Sequence, residues 1–91
     1  MIKEVAKVNI PLGLHARAAS LFVKEANKYI SEVFVCKNEK KYNAKSIMGI
    51  LSLGAKNSDE IEIIANGEDE KTAVLVLKNL LEKELKNSDL V

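Results

Sequence analysis

Apolar and polar residues change their spacing several times along the chain, and each change marks a predicted element. Residues 2–8 mix apolar and charged side chains among β-formers, which predicts a first strand with Ala6 and Val8 facing inward. A proline and a glycine within residues 10–13 break that pattern, so a loop should follow. Over residues 16–28, apolar side chains recur at helical spacing and predict an amphipathic helix. These apolar positions are Ala19, Phe22, Val23 and Ala26.

The middle of the chain predicts a hairpin and a short helix. Residues 33–36 alternate in character, and a second run of strand-forming residues follows Asn38 and Glu39, so the hairpin should turn at those two positions. A tight turn favours glycine at position 39 for its positive φ, so Glu39 implies either local strain or a looser loop. Ser46 then precedes the apolar run of residues 47–51, which suits a capped helix of about two turns.

The last third of the chain predicts a strand and a long helix. A turn signal at residues 57–59 precedes residues 60–65, whose strict alternation is typical of a half-buried strand. Asp69 can cap the helix that follows, with acidic neighbours near its positive end. The apolar stripe of that helix comprises Val74, Leu77, Leu81 and Leu85, and is widened by Leu75, Val76 and Leu80. Residues 87–91 are expected to fray.

This order of elements, βαββαβα, predicts an α+β fold. One-faced alternation in the strands and amphipathic helices between them favour a four-stranded antiparallel sheet with three helices on one face, an open-faced β-sandwich. A split βαβ topology related to the ferredoxin-like fold follows naturally from that order. The 91 residues can build one core, so residues 1–91 should form a single domain.

The composition restricts the classes of function. A formal net charge of +1 and an aromatic fraction of 4% provide neither the basic surface nor the stacking platform of a nucleic-acid binder. No apolar run approaches the roughly 18 residues of a membrane span, so membrane insertion and export are not expected. Cys36 is the only cysteine, so a reducing cytoplasm fits best. One histidine and one cysteine are too few for a structural zinc site, and no cofactor is expected.

His15 carries the strongest chemical signal in the sequence. It lies where a glycine-containing loop becomes a helix, so unpaired N–H groups of the first helical turn should lie near its ring. A phosphoryl group on the imidazole would gain hydrogen bonds from those donors and a charge partner in Arg17. Neither a second histidine nor a nearby carboxylate completes a hydrolytic site, and no GxxxxGK[ST] loop binds a nucleotide. The pattern suits a phosphoryl carrier that is not an enzyme acting alone, and the alternative is an ordinary exposed histidine at the start of a helix.

Two segments of the chain are characteristic of one family. GLHARAA at residues 13–19 and NAKSIMGILSLG at residues 43–54 closely resemble the HPr family, the histidine-containing phosphocarrier proteins of the sugar phosphotransferase system. The resemblance extends along essentially the whole chain and includes residues 66–69 before the final helix. It implies the same open-faced βαββαβα fold.

The resemblance also implies roles for residues and partners. His15 would accept the phosphoryl group through Nδ1, Arg17 would assist, and backbone N–H groups at Ala16 and Arg17 would help to hold the phosphate. The donor would be enzyme I, itself charged by phosphoenolpyruvate. The acceptors would be IIA proteins or domains of sugar permeases.

Ser46 has two interpretations. The pattern alone favours an N-cap, a role worth about 1 kcal/mol. Residues 45–49 resemble the regulatory serine segment of HPr from Gram-positive bacteria, which implies phosphorylation by an HPr kinase/phosphorylase and binding to a catabolite-control transcription regulator. The resemblance also implies a docking surface for partners, for which core packing is the alternative at Met48 and Leu51. Its residues are Ser20, Leu21, Lys24, Lys45, Ile47, Met48 and Leu51.

Two other functions stay open. An HPr-like regulatory paralogue would act through Ser46 in carbon catabolite control with little role in sugar transport. The family usually has proline where this chain has Ala18, and we expect this difference to tune phosphoryl transfer, not to abolish it. A ferredoxin-like binding domain or small-ligand sensor could share the element order, and His15 would then be an ordinary exposed histidine. A monomer is expected.

Overall fold

The chain forms the predicted elements in the predicted order. The computed structural model describes residues 1–88. The elements are β1 (Ile2–Lys7), α1 (Ala16–Ala26), β2 (Glu32–Lys37), β3 (Lys40–Asn43), α2 (Ile47–Leu53), β4 (Glu60–Asn66) and α3 (Glu70–Glu82), followed by a 3-10 turn (Glu84–Asn87). The α+β class and the open-faced sandwich with three helices on one face are therefore confirmed.

The four strands form one antiparallel sheet in the order β1-β4-β2-β3. The inner strands are β4 and β2, and Ala65 of β4 lies opposite both Ile2 of β1 and Val33 of β2. Alternate residues of each strand turn toward the helices, as the period of two requires. The buried core formed by sheet and helices includes Ala6, Val8, Val33, Val35, Ile61, Ile63, Ala19, Phe22, Ala26, Ile50, Val74, Leu77 and Leu81.

The β2–β3 hairpin resolves the alternatives at Glu39. Lys37 pairs directly with Lys40, so the loop contains only two residues. Asn38 has φ 53° and Glu39 has φ 66°, both in the left-handed region. Asparagine adopts this region readily, whereas for Glu39 it costs roughly 1–2 kcal/mol. The turn is therefore tight and locally strained, and the looser loop is excluded.

The first helix ends earlier than the periodicity predicts. α1 stops at Ala26, two residues before Lys28. Asn27 ends it, because its side-chain Nδ2 donates to the carbonyl oxygens of Val23 (2.9 Å) and Lys45 (3.1 Å). Side-chain amides that bond to nearby carbonyls compete with continued helix, which the apolar spacing does not reveal.

The apolar stripe of the last helix is narrower than predicted. α3 ends at Glu82, and Leu85 is buried from the 3-10 turn instead. Leu75 is 59% exposed and does not widen the core, whereas Leu80 is partly buried and packs against it as predicted. Asn87 lies within the 3-10 turn and is not frayed, and residues 89–91 lie outside the described part of the chain.

Asp69 occupies the N-cap position of α3, but the prediction that its side chain caps the helix is wrong. Its carboxylate instead accepts hydrogen bonds from the backbone N–H groups of Ile30 and Ser31, each at 3.0 Å, and from the Ser31 hydroxyl. Glu70 accepts from the N–H of Gly67 at 3.0 Å. Asp69 thus ties the start of α3 to the loop between α1 and β2, because three donors there converge on one carboxylate.

These bonds make stability depend on pH. The hydroxyl of Ser31, with the backbone N–H groups of Ile30 and Ser31, holds the pKa of Asp69 below its ordinary value of 3.8. The ionised carboxylate therefore stabilises the fold above that value, and its contribution is lost as the pH falls through the lowered folded-state pKa. We expect Asp69→Asn to be less stable than wild type at neutral pH and to lose stability less steeply on acidification below about pH 4.

Urea unfolding between pH 2 and 7 measures this difference. Glu68→Gln, which removes an exposed neighbouring carboxylate, is the matched control and should follow the wild-type profile. Parallel pH profiles for Asp69→Asn and wild type would contradict the assignment.

Candidate functional site

A rigid loop carries the chain from the first strand to His15. Gly13 has φ 69°, and its N–H donates to the carbonyl of Ile10 at 2.7 Å. The N–H of Leu14 donates to the carbonyl of Ala55 at 3.0 Å, and the Leu14 side chain is buried. Hydrogen bonds therefore hold the loop at Gly13 and at Leu14, immediately before His15.

His15 is the N-cap residue of α1. Its backbone is extended, with φ −74° and ψ 177°, and its carbonyl accepts the N–H of Ala19 at 2.8 Å. Its side chain makes no capping hydrogen bond, so the partly buried ring does not consume the donors of the helix start. The N–H groups at Ala16, Arg17 and Ala18 belong to the first turn, where no preceding helical carbonyl can accept them.

The charge at this helix start favours an anion. The first turn of α1 contains no acidic residue, and Arg17 is exposed two residues after His15. The free N–H groups carry the positive end of the helix dipole, which stabilises a nearby negative charge. Ala18 is fully buried, so the residue that replaces the expected proline packs under this turn. The arrangement can hold a phosphoryl group beside an imidazole nucleophile.

The structure adds one residue that the sequence did not indicate. Ser88 Oγ lies 3.5 Å from Nε2 of His15, although 73 positions separate the two residues. The preceding 3-10 turn carries Leu85, whose buried side chain fastens this segment to the core. The apolar spacing that includes Leu85 predicts that this part of the chain packs against the core. It does not indicate which residues the segment after Leu85 contacts.

Ser46 is the N-cap of α2, as the pattern predicts. Its backbone is extended, and its Oγ accepts the N–H of Gly49 at 3.1 Å. The side chain is partly buried. The hydroxyl thus sits among the free amide donors at the start of α2, a position that tolerates negative charge.

The predicted docking surface lies on α1 and α2, which pack against each other. Core packing is excluded for Met48 and Leu51, which are 68% and 41% exposed, because Ile50 and Leu53 provide the buried side of α2. Leu21, Ile47, Ser20 and Lys24 are also exposed. Lys45 is partly buried, and its Nζ donates to the carbonyl of Tyr29 at 2.6 Å.

A family model described as "PTS HPr component phosphorylation site" matches residues 2–83. The chain belongs to the HPr family. The family resemblance at residues 13–19 and 43–54 is thereby confirmed, and the family is one of phosphocarrier proteins, not of enzymes in their own right.

The relatives of this chain include both HPr-like and HPr proteins. The HPr-like protein Crh of Bacillus subtilis is 45% identical over 93% of this chain and 100% of its own length. The phosphocarrier protein HPr of Neisseria meningitidis is 41% identical over 89% of this chain and 91% of its own. A crystal structure of HPr from Thermoanaerobacter tengcongensis superposes with a TM-score of 0.89 at 42% identity, covering 93% and 96% of the two chains.

One of the solved relatives is a dimer. A crystal structure of the Bacillus subtilis Crh protein is described as an intertwined dimer with a swapping domain, with a TM-score of 0.74, 45% identity and coverage of 93% and 97%. The relatives thus include both the phosphocarrier HPr and the HPr-like protein Crh, and a solved structure of the latter is dimeric.

Two features are absent from residues 1–88. No helix in this range has the length and apolarity needed to cross a membrane. Within the same range, no group of three or more His, Cys, Asp or Glu side chains is arranged to hold a metal ion.

Proposed function

We propose that this HPr-family protein accepts a phosphoryl group from phosphorylated enzyme I on Nδ1 of His15 and passes it to IIA proteins or domains of sugar permeases. The observation that carries the proposal is the ring of His15 at the start of α1, where its side chain leaves the helix donors free. A helix start that binds an anion and presents a nucleophile suits a group that arrives as phosphoryl and leaves again.

The transfer needs no further catalytic group from this chain. The lone pair on Nδ1 attacks phosphorus, the new N–P bond forms, and the bond from phosphorus to the donor breaks. The N–H groups of Ala16 and Arg17 then face the phosphoryl oxygens, and the Arg17 guanidinium supplies a positive charge. A helix start stabilises such an anion by about 0.3–1 kcal/mol, and by up to about 2 kcal/mol when partly buried. Because this stabilisation is modest, the group can be passed on: the acceptor forms a bond to phosphorus, the N–P bond breaks, and its electron pair returns to Nδ1.

Docking would use the exposed apolar residues of α1 and α2. Leu21, Met48 and Leu51 form the apolar part, with Ile47 at its start and Lys24 as a charged neighbour. Exposed apolar side chains rimmed by polar ones are typical of protein–protein contact sites. We further propose that the protein works in the cytoplasm as a monomer.

The test is phosphorylation by enzyme I and phosphoenolpyruvate, followed by intact-mass analysis. We expect one added phosphoryl group that is lost on brief acid treatment, because phosphohistidine is acid-labile and phosphoserine is not. A folded protein that gains no acid-labile phosphate under conditions that charge a known HPr would refute the carrier function.

A second function, regulation through Ser46, is favoured by the position of its hydroxyl at the start of α2. A phosphate there would add roughly −1.5 to −2 charges beside Ile47 and Met48, and the helix start would tolerate it. We propose that an HPr kinase/phosphorylase adds this phosphate, that docking to enzyme I then weakens, and that a catabolite-control transcription regulator is bound instead. This is the role of a regulatory paralogue, and both roles can coexist in one chain.

Variants at Ser46 separate capping from charge. We expect Ser46→Ala to lower the free energy of unfolding by about 1 kcal/mol, because the N–H of Gly49 loses its acceptor. We expect Ser46→Asp to keep the cap but to slow phosphoryl transfer from enzyme I by about tenfold, through a charge placed within the docking surface. Urea unfolding and transfer kinetics measure the two effects.

Ser52→Asp is the matched control, because it adds the same charge to an exposed position at the other end of α2. Equal transfer rates for Ser46→Asp and Ser52→Asp would show that charge at the helix start has no special effect on docking.

A further inference from the structure

The segment after Lys83 lies beyond the part of the chain that matches the family model, yet it is built into the fold. The N–H of Lys86 donates to the carbonyl of Lys83 at 3.3 Å, and the N–H of Ser88 donates to that of Leu85 at 3.0 Å. Leu85 is only 3% exposed and belongs to the core. The buried leucine and these turn bonds give the segment a defined path.

That path brings Ser88 to the ring of His15. The two side chains are both partly buried, and Oγ of Ser88 lies 3.5 Å from Nε2. This distance is at the long end for a hydrogen bond, as is common for such contacts in a resting site before the reacting complex forms. The contact involves Nε2, the nitrogen that the proposed transfer does not use.

We propose that Ser88 is a positioning residue for His15: its Oγ accepts a hydrogen bond from the Nε2–H and so selects the tautomer whose lone pair is on Nδ1. This inference rests on the proposed carrier function. A neutral imidazole carries one proton, and a proton on Nδ1 would leave no nucleophile there. The free groups at the start of α1 are N–H donors, which favour a lone pair over a second N–H beside them.

The contact between Ser88 and Nε2 also fits the changes in bonding that occur during phosphoryl transfer. Nδ1 gains the N–P bond as phosphorus loses its bond to the donor, while Nε2 keeps its proton throughout. The ring becomes positively charged, so the Nε2–H becomes a stronger donor and its hydrogen bond to Ser88 strengthens. Ser88 therefore stabilises the phosphorylated ring more than the free one. An interaction that strengthens along the reaction accelerates it, whereas equal binding of both states would not.

The test compares Ser88→Ala, Ser88→Thr and Lys86→Ala. Lys86 is exposed in the same turn, so its variant controls for disturbance of the segment, and threonine keeps the hydroxyl. Long-range ¹H–¹⁵N correlation spectra of the neutral His15 ring report which nitrogen carries the proton. We expect the Nε2–H tautomer in wild type, Ser88→Thr and Lys86→Ala, and a larger Nδ1–H population with faster exchange of the ring N–H in Ser88→Ala.

Transfer kinetics provide the second readout. We expect Ser88→Ala to lower kcat for phosphorylation by enzyme I about two- to tenfold with little change in KM, and Ser88→Thr to restore it. If Ser88→Ala and Lys86→Ala have the same tautomer population and the same kcat, the role of Ser88 is wrong, whereas the carrier function is unaffected. Wild type with the Nε2–H tautomer but no acid-labile phosphate would overturn the carrier function, and the role of Ser88 with it.

Discussion

His15→Ala is expected to abolish the acid-labile phosphate that enzyme I adds to this protein. His15 is the only histidine in the chain, so no second imidazole can replace it as the nucleophile. The measurement is the intact mass after incubation with enzyme I and phosphoenolpyruvate, before and after acid treatment. The expected effect is complete loss, because the variant removes the atom that would form the N–P bond.

The fold should survive this change. The His15 side chain makes no capping hydrogen bond, so its removal leaves the first turn of α1 without a new unpaired donor. We expect the free energy of unfolding to fall by no more than about 1 kcal/mol, because the contact that is lost is the long one between Nε2 and Ser88. Acid-labile phosphate on a folded His15→Ala protein would contradict the assignment of the acceptor.

Arg17→Ala provides a graded comparison in the same assay. Loss of a hydrogen bond to a charged group costs about 1.5–3 kcal/mol, which corresponds to roughly 10- to 150-fold in rate. We therefore expect slower phosphorylation of Arg17→Ala with the final acid-labile product intact. The contrast distinguishes the acceptor from a residue that stabilises the accepted group.

Gly13→Ala is expected to have the second-largest effect, on both stability and transfer. The backbone at Gly13 has φ 69°, which costs an L-residue about 1–2 kcal/mol. A Cβ there would lie 2.6 Å from the carbonyl oxygen of Ala55 and 3.0 Å from Cα of Lys56, so backbone must move. Overpacking of this kind adds about 1–3 kcal/mol, which makes a total loss of about 2–5 kcal/mol.

The displaced backbone leads directly to His15, the proposed phosphoryl acceptor. The N–H of His15 donates to the carbonyl of Gly13 at 2.9 Å, so a shift at Gly13 moves the acceptor ring. A misplacement of about 1 Å can lower a reaction rate about 100-fold. We expect a loss of that order in phosphoryl transfer, measured under conditions in which the variant is folded.

Gly54→Ala is the matched control that separates the cost of a positive φ from the cost of the steric contact at Gly13. Gly54 has φ 64°, nearly that of Gly13, but a Cβ there would meet only the Ser52 carbonyl oxygen, at an ordinary 3.9 Å. Gly54→Ala should lose only the free energy that a left-handed backbone costs an L-residue, about 1–2 kcal/mol, and its phosphoryl transfer should be normal. Equal destabilisation of the two variants would show that the contact with Ala55 does not matter.

The N-cap residues of α1 and α2 differ in a way that suits their proposed roles. Ser46 uses its Oγ to cap α2 through Gly49, whereas His15 begins α1 without using its side chain. A phosphate on Ser46 would occupy a helix start as a stable ester. A phosphoryl group on His15 would occupy another helix start on a nitrogen that readily releases it. The same backbone geometry thus serves a persistent charge at one site and a transferable one at the other.

The sequence by itself determined the elements and the family, and it supplied the prediction that His15 is the phosphoryl site. Strand β4 and helix α1 follow from side-chain periods that are properties of the local backbone, and the cap at Ser46 requires only residues three positions apart. His15 was identifiable because its surrounding motif is also local. Ends of elements were less certain, as Asn27 shows, because side-chain hydrogen bonds compete with helix continuation there.

Only the tertiary structure decided which distant groups meet. Asp69 bonds to Ser31 across 38 positions instead of capping its own helix, and Ser88 reaches His15 across 73. A carboxylate or hydroxyl can accept from many donors, so its partner depends on how sheet and helices pack, not on neighbouring residues. Leu85 is buried although it lies beyond α3, because α3 ends at Glu82 and the chain then turns back to the core. Local periodicity cannot encode that turn, whereas burial of the leucine against the finished core stabilises it.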